Sequence, residues 1–185
     1  MANIETKEKE AVSNLDDLLD DIKTLYNKTK SRKLLQRLSD ILTCEGLDDG
    51  AAANGIMQRL DERKLHPVRP KRGDLYYATI TTGVGAELSG RHPVIVIQND
   101  KGNLYASKVI VVAVEGDGRK INPAYNMQLL SANLKAGKLD KDPSRIILSE
   151  ILTIDKTRLE NRMGKLDEST MKRLETAIKK QIGIK

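Results

Sequence analysis

Arg91 and His92 are the two residues of this chain best placed to do chemistry. They stand side by side at the end of a glycine-rich stretch, after Gly83, Gly85 and Gly90 and directly before Pro93. A guanidinium grips a phosphate through paired N–H donors, and an imidazole moves protons near neutral pH. Glycines let a backbone approach a ligand where a side chain would block it. Pro93 fixes φ at the entrance to the next segment and restricts the residue before it. Together these types suit a phosphodiester ligand.

Such a loop needs rigid neighbours. Leu75–Ile80 is aromatic and β-branched, and Pro93–Gln98 is a β-branched run of buried-strand length. Further strands are expected at Lys108–Val114, Ala124–Leu130, Arg145–Leu148 and Leu152–Ile154. Polar, glycine-containing turns are expected at Asp100–Asn103 and Glu115–Lys120, and a short helical turn at Asp155–Leu159. A final helix is signalled by Asp167 as cap, Glu168 in the first turn, the stripe Met171, Leu174, Ala177 and Ile178, and Gly183 as stop.

The run KRGDLYYATITTGVGAELSGRHPVIVIQND, followed by a β-branched strand and then SEILTIDKTRL, resembles the PemK/MazF family of toxin endoribonucleases over about residues 67–185. The resemblance implies an α+β fold: a small SH3-like β-barrel of the PemK/MazF/CcdB-like kind with a C-terminal helix. It also implies a homodimer, a cognate antitoxin and single-stranded RNA as substrate. The cleavage it implies uses no metal or other cofactor and leaves a cyclic phosphate and a free 5′-hydroxyl.

Family members place an arginine directly before the proline of the second strand and a hydroxyl residue after the third strand. Here those positions hold His92 and Glu115, with Arg91 one place earlier. His and Glu can form an acid/base pair. An extended backbone would aim His92 in the family's catalytic direction and turn Arg91 away; a bulge at Gly90 would let Arg91 reach in. The catalytic set is therefore His92, Arg91 and Glu115. Glu87 matches the acidic residue of the family's loop, and Leu88 and Leu152 replace its glutamine and arginine. Candidate RNA contacts are Gly85, Glu87, Tyr77, Arg119 and Lys120. Tyr76 and Tyr77 are adjacent on one strand, so at most one is free to stack on a base. The replacements keep a second class open, a non-catalytic nucleic-acid- or protein-binding barrel. A third reading, a gyrase poison acting through its tail, finds no tryptophan anchor in KKQIGIK.

Composition agrees with a polyanionic partner for the second part. The chain of 185 residues carries a net charge of +6. Residues 1–70 hold 12 Lys/Arg and 13 Asp/Glu, whereas residues 71–185 hold 20 and 13, so the excess lies in the family-like part. A single cysteine, Cys44, rules out an intrachain disulfide, fits a cytoplasmic setting and reads as a small core residue. One Cys and two separated His leave no ordinary zinc site. No apolar run is long enough to span a membrane.

Residues 1–66 read as a separate helical segment, and residues 67–185 as the barrel. Three short amphipathic helices are expected: one from Asn14 with Leu15, Leu18, Leu19, Ile22 and Leu25; a second with Leu34, Leu35, Leu38, Ile41 and Leu42, broken by Gly46 and Asp48-Asp49-Gly50; and a third from Ala51 to about Leu65. The charged stretch Glu5–Glu10 is expected to fray. No internal repeat is recognised. Stripes of this kind pack on protein, as a dimerisation or partner module or as a cover over the RNA groove. His66, in the His66–Pro70 linker, is read as a surface residue.

Overall fold

The computed structural model describes residues 2–60 and 65–184, with side chains from 14–53 and 65–184. The chain packs as two units, Met1–Leu42 and Thr43–Lys185.

Two long helices open the chain, α1 (Ala2–Thr29) and α2 (Arg32–Leu60). The break between them is at Lys30, whose φ of 49° is left-handed. Two helices thus replace the three expected. Gly46 and Asp48-Asp49-Gly50 lie inside α2 and do not end it. A mid-helix glycine costs only about 1 kcal/mol, and no proline occurs before Pro67 to force a stop. The third expected helix merges into α2, and its residues 61–64 lie outside the described residues. Glu5–Glu10 fall within α1. Cys44 is half-buried rather than a core residue.

Seven strands follow: β1 (Asp74–Ile80), β2 (Gly90–Val96), β3 (Lys108–Glu115), β4 (Asn126–Leu129), β5 (Leu134–Gly137), β6 (Ser144–Asp155) and β7 (Leu159–Leu166). They form one antiparallel sheet in the order β4-β6-β3-β2-β1-β7-β5, curled into a half-barrel. The two segments expected at Arg145–Leu148 and Leu152–Ile154 are one strand, β6, with a register shift against β3 between Val112 and Val114. The bulge absorbs the polar Ser149-Glu150 that looked like a gap. β5 and β7 were not foreseen. LENRMGKL has little β-branched content, and it is a strand because β1 and β5 supply hydrogen-bonding partners on both sides.

Asp100–Asn103, expected as a turn, begins the short helix α3 (Asp100–Tyr105), capped by the Asn99 side chain on the Gly102 N–H at 2.8 Å. The expected C-terminal helix is α4 (Glu168–Gln181). Asp167 accepts the Thr170 N–H at 2.7 Å, and that bond first of all holds its carboxyl below the usual range. Met171, Leu174, Ala177 and Ile178 lie against one sheet face, with Leu75, Ile95, Val112 and Ile146. The other face carries Ala78, Val94, Val96, Val109, Val111 and Ile154. Alternation along β1–β3 feeds both clusters, which is why these strands read as continuous apolar runs.

His66 corrects the surface reading: it is 2% exposed. Its backbone N–H donates to the Leu104 carbonyl at 2.7 Å, and burial pushes its imidazole pKa down. Lys156 is fully buried as well, and its Nζ donates to the Asn103 carbonyl at 2.6 Å. Burial lowers its pKa from 10.5 to about 8. Among the described residues no helix is long and apolar enough to cross a membrane.

Candidate active site

A cleft of about 420 Å³ opens where β1, β2 and β3 end, and Tyr77, Arg91, His92 and Glu115 all line it. Val114, Leu139 and Met163 form an apolar floor, and Asp140 and Lys141 supply a rim from the loop before β6. The two separate strand ends singled out in the sequence therefore meet at one place. Gly85 and Glu87 do not line this cleft. Glu87 is turned onto its own loop, where its Oε2 accepts the Val84 N–H at 2.7 Å.

Register explains how Arg91 gets there. β2 pairs with β1 without a shift from Gly90 to Ile95, setting Arg91 opposite Thr79, His92 opposite Ala78 and Pro93 opposite Tyr77. Directly paired residues share a face, so Arg91 lies on the Tyr77 side of the sheet. Its guanidinium stacks on the Tyr77 ring, 3.5 Å from the centroid. The expectation that a regular strand would turn Arg91 away is thus corrected: Arg91 reaches the cleft by plain alternation, and no bulge is needed. His92, one residue on, pairs with Ala78, so alternation turns its side chain toward the opposite face; it borders the cleft at the strand end, with its ring folded back onto the Ser89 carbonyl.

Both cationic and acidic groups are held in place. Arg91 Nε donates to Glu160 Oε2 at 2.7 Å, and this bond above all raises the arginine's pKa. The Tyr77 hydroxyl donates to Asp140 Oδ2; that bond, with some burial, pushes the phenol's pKa up and keeps it protonated. Arg91 is thereby clamped between a ring fixed by Asp140 and a carboxylate on β7. His92 Nε2 lies 2.9 Å from the Ser89 carbonyl. A carbonyl only accepts, so Nε2 carries the hydrogen and Nδ1 is left for other work. Glu115 receives Arg145 Nε at 3.0 Å and Nη2 at 2.6 Å, both on Oε2.

The electrostatics are mixed in the cleft and in the depression beside it, and basic only further out. Arg91 and Lys141 face Glu115, Asp117 and Asp140. A neighbouring depression shares Asp117, Asp140 and Lys141 and adds Arg119 and Asp142. A third joins Arg119 to Lys120 and Arg145, with Asn122 and Asn126 beside them. Arg119 and Lys120 thus lie outside the cleft, in separate depressions, the first of which adjoins it. Among the described residues no group of three His, Cys, Asp or Glu side chains is arranged to hold a metal ion.

Sequence reasoning did not anticipate Glu160 or Asp140. Glu160 was hidden because β7 was not read as a strand. Asp140 lies in the charged run LDKD, whose only signal was a cluster of polar residues between apolar segments. Tyr76 and Tyr77 divide as alternation requires: Tyr76 packs beside the Ala78 cluster and Tyr77 faces the cleft.

A family model described as PemK-like, MazF-like toxin of type II toxin-antitoxin system matches residues 71–182. The Endoribonuclease MazF of Staphylococcus saprophyticus is 40% identical over 114 residues, covering 62% of this chain and 92% of that protein. Among solved structures, MazF from Deinococcus radiodurans aligns with a TM-score of 0.50 at 16% identity, over 62% of this chain and 97% of that one. A mycobacterial endoribonuclease in complex with its cognate antitoxin aligns with a TM-score of 0.47 at 19% identity, over 63% and 96%. α1 and α2 lie outside the residues the family model matches. With a sheet, a terminal helix and a strand-end cleft of this kind, and with that match covering most of its length, this chain belongs to the PemK-like, MazF-like toxins of type II toxin–antitoxin systems.

Proposed function

We infer that this protein is a toxin endoribonuclease that cuts single-stranded RNA, with the Arg91–His92–Glu115 cleft as its active centre. One observation carries the reading: an arginine, an imidazole and a carboxylate from two strand ends line one cleft, and the arginine is already oriented. The kinship with a protein named Endoribonuclease MazF supports the reaction class.

The proposed reaction runs within the RNA. The 2′-oxygen attacks the adjacent phosphorus as Glu115 takes its proton through Oε1, the oxygen that Arg145 leaves unused. Arg91 holds the phosphoryl oxygens as negative charge builds on them, through the guanidinium nitrogens not bonded to Glu160. The protonated His92 gives its Nδ1 proton to the departing 5′-oxygen. The P–O5′ bond breaks, leaving a 2′,3′-cyclic phosphate and a 5′-hydroxyl. Tyr77, Arg119 and Lys120 would contact the flanking nucleotides, by stacking and by phosphate pairing. We assign this activity to residues 67–185, with residues 1–66 as an appended module, in a cytoplasmic protein that works as a homodimer and is restrained by a cognate antitoxin. The mycobacterial neighbour is itself recorded with its antitoxin.

Purified protein incubated with RNA in EDTA should give fragments whose 5′ ends accept phosphate from polynucleotide kinase without prior dephosphorylation. His92→Ala and Arg91→Ala should each slow fragment formation by about 10²-fold or more. Intact RNA with the unaltered chain would leave only a binding module on this fold.

A further inference from the structure

The outermost depression offers side-chain donors and no side-chain charge to oppose them. It measures about 530 Å³, its lining is Arg119, Lys120, Ile121, Asn122, Asn126 and Arg145, and none of these six is acidic. Arg119 and Lys120 are exposed, and neither pairs with a carboxylate among the described residues. Arg145 spends Nε and Nη2 on Glu115, which leaves Nη1 with only a long 3.5 Å approach to the Lys120 carbonyl. The two asparagines complete the pattern. Asn122 Oδ1 accepts the Ala124 N–H at 3.1 Å, and Asn126 Oδ1 accepts the Asn122 N–H at 2.7 Å. A backbone N–H can only donate, so these bonds fix both amides with the oxygen toward the loop and leave both Nδ2 groups as donors.

The loop that carries these donors is pinned. The Gly118 N–H donates to the Pro143 carbonyl at 3.0 Å, and the Gly118 carbonyl accepts Gln128 Nε2 at 2.9 Å. A Cβ at position 118 would lie 2.2 Å from the Ser144 carbonyl oxygen, so only glycine lets the chain run this close to β6. Asn126 opens β4, and Arg145 on β6 pairs with Gln128 on one side and Glu115 on the other. Rigid strands and one anchored loop thus hold the donors in place before any ligand arrives, which lowers the ordering cost of binding.

Five donor side chains facing one hollow suit an anion and repel a cation. Guanidinium and amide N–H groups match the oxygens of a phosphate. Arg145 ties the hollow to the cleft, because the same guanidinium holds Glu115 there and lines the depression here. A strand with one phosphate in the cleft would carry a further phosphate past Arg145. We propose that this depression is a phosphate subsite for a backbone phosphodiester of the RNA other than the one cut, held by Asn122, Asn126 and Arg145 together with Arg119 and Lys120. The subsite rests on RNA as the substrate but not on the roles assigned to Arg91, His92 and Glu115. A contact of this kind adds affinity and fixes the register of the strand without reading its sequence.

Asn122→Asp with Asn126→Asp tests this in the full-length chain. Each carboxylate keeps an oxygen for the loop N–H and puts a repelling oxygen where the amide donor stood. The probe is a 2′-O-methyl RNA, which has no free 2′-hydroxyl to react, followed by fluorescence anisotropy across a salt series. The double variant should bind it about ten-fold or more weakly, with the slope of log affinity against log salt shallower by about one. Arg119→Gln, an exposed change that breaks no loop bond, should weaken binding in the same direction by about three-fold. Lys172→Gln with Arg173→Gln makes the same change in net charge on exposed residues of α4, and should shift affinity by less than about two-fold. On cleavable RNA the asparagine variant should raise KM and keep kcat within about two-fold, which also shows that it is folded. Unchanged RNA affinity in the asparagine and Arg119 variants would overturn the proposal. Equal weakening by the α4 variant would overturn it too, in favour of general charge attraction. So would binding of inorganic phosphate alone that the asparagine exchanges remove while RNA affinity stays, since the hollow would then serve a free anion. RNA bound as expected but left uncut by the unaltered chain would support the subsite and overturn the nuclease reading alone.

Discussion

α4 and α1 are written in the same code and meet different fates. Both carry apolar residues at helical spacing with charges on the remaining faces. In α4 the stripe is consumed: Leu174 is fully buried among Leu75, Ile95 and Ile146. In α1 the equivalent Leu18 is 55% exposed. Periodicity states that a helix needs a partner and is silent on where the partner comes from. The sheet face supplies one for α4.

Catalysis offers the sharpest separation of the two regions. Arg91→Ala should lower RNA cleavage by about 10²–10³-fold, as expected when an oriented charge donor is lost from a transition state. Leu18→Ala should leave the cleavage rate at saturating protein within about two-fold. An equal loss in both variants would show that α1 takes part in the cleft chemistry. A smaller effect belongs to Glu160→Gln. Glutamine still accepts from Arg91 but carries no charge, so the rate should fall by about ten-fold, chiefly in kcat. An unchanged rate would show that the Tyr77 ring alone positions the guanidinium.

Stability should divide the same way. Leu174→Ala should cost about 2–5 kcal/mol in urea unfolding, through lost burial and the cavity left behind. Leu18→Ala should cost less than about 0.5 kcal/mol, because the side chain is already 55% exposed. Comparable losses would mean that α1 is already packed within one chain.

Lys156 gives a pH signature confined to the sheet unit. Its folded pKa of about 8 lies below the ordinary 10.5 because burial disfavours the charge. Between those values the unfolded chain binds more protons than the folded one, so stability gains from rising pH in that window. The penalty is fully present below about pH 8 and is relieved toward pH 10.5. Relative to Lys156→Met, the unaltered protein should gain on the order of 2 kcal/mol across that window. Parallel pH profiles for the two proteins would show that the ammonium is solvated. The smallest effect is at the α4 cap. Asp167→Ala should lower the melting temperature slightly. That contribution should also vanish in acid, as pH falls through the depressed folded pKa of the carboxyl.

Much was legible from residues alone. β1, β2 and β3 announce themselves because strands buried on both faces must be continuously apolar. α4 does so because Asp167, its stripe and Gly183 each state one rule of helix construction. The choice of Arg91, His92 and Glu115 rested on residue type beside a glycine loop and a proline, and on family spacing. These are local properties. β7 was not legible, because LENRMGKL becomes a strand only through hydrogen bonds from β1 and β5. With β7 hidden, Glu160 was hidden too. His66 looked like linker surface because burial is a property of what folds over a residue, in this case Leu104 and its neighbours.

Sequence by itself determined the family, the strand runs, the capped terminal helix and the residue types available for phosphodiester chemistry, since each follows from short-range pattern and composition. Tertiary structure alone decided that Arg91 shares a face with Tyr77, that Glu160 and Asp140 hold the pair, and that the ends of β2 and β3 close on one cleft. Register and curl set those distances, and both arise from hydrogen bonds between segments far apart in the chain, which no local pattern encodes.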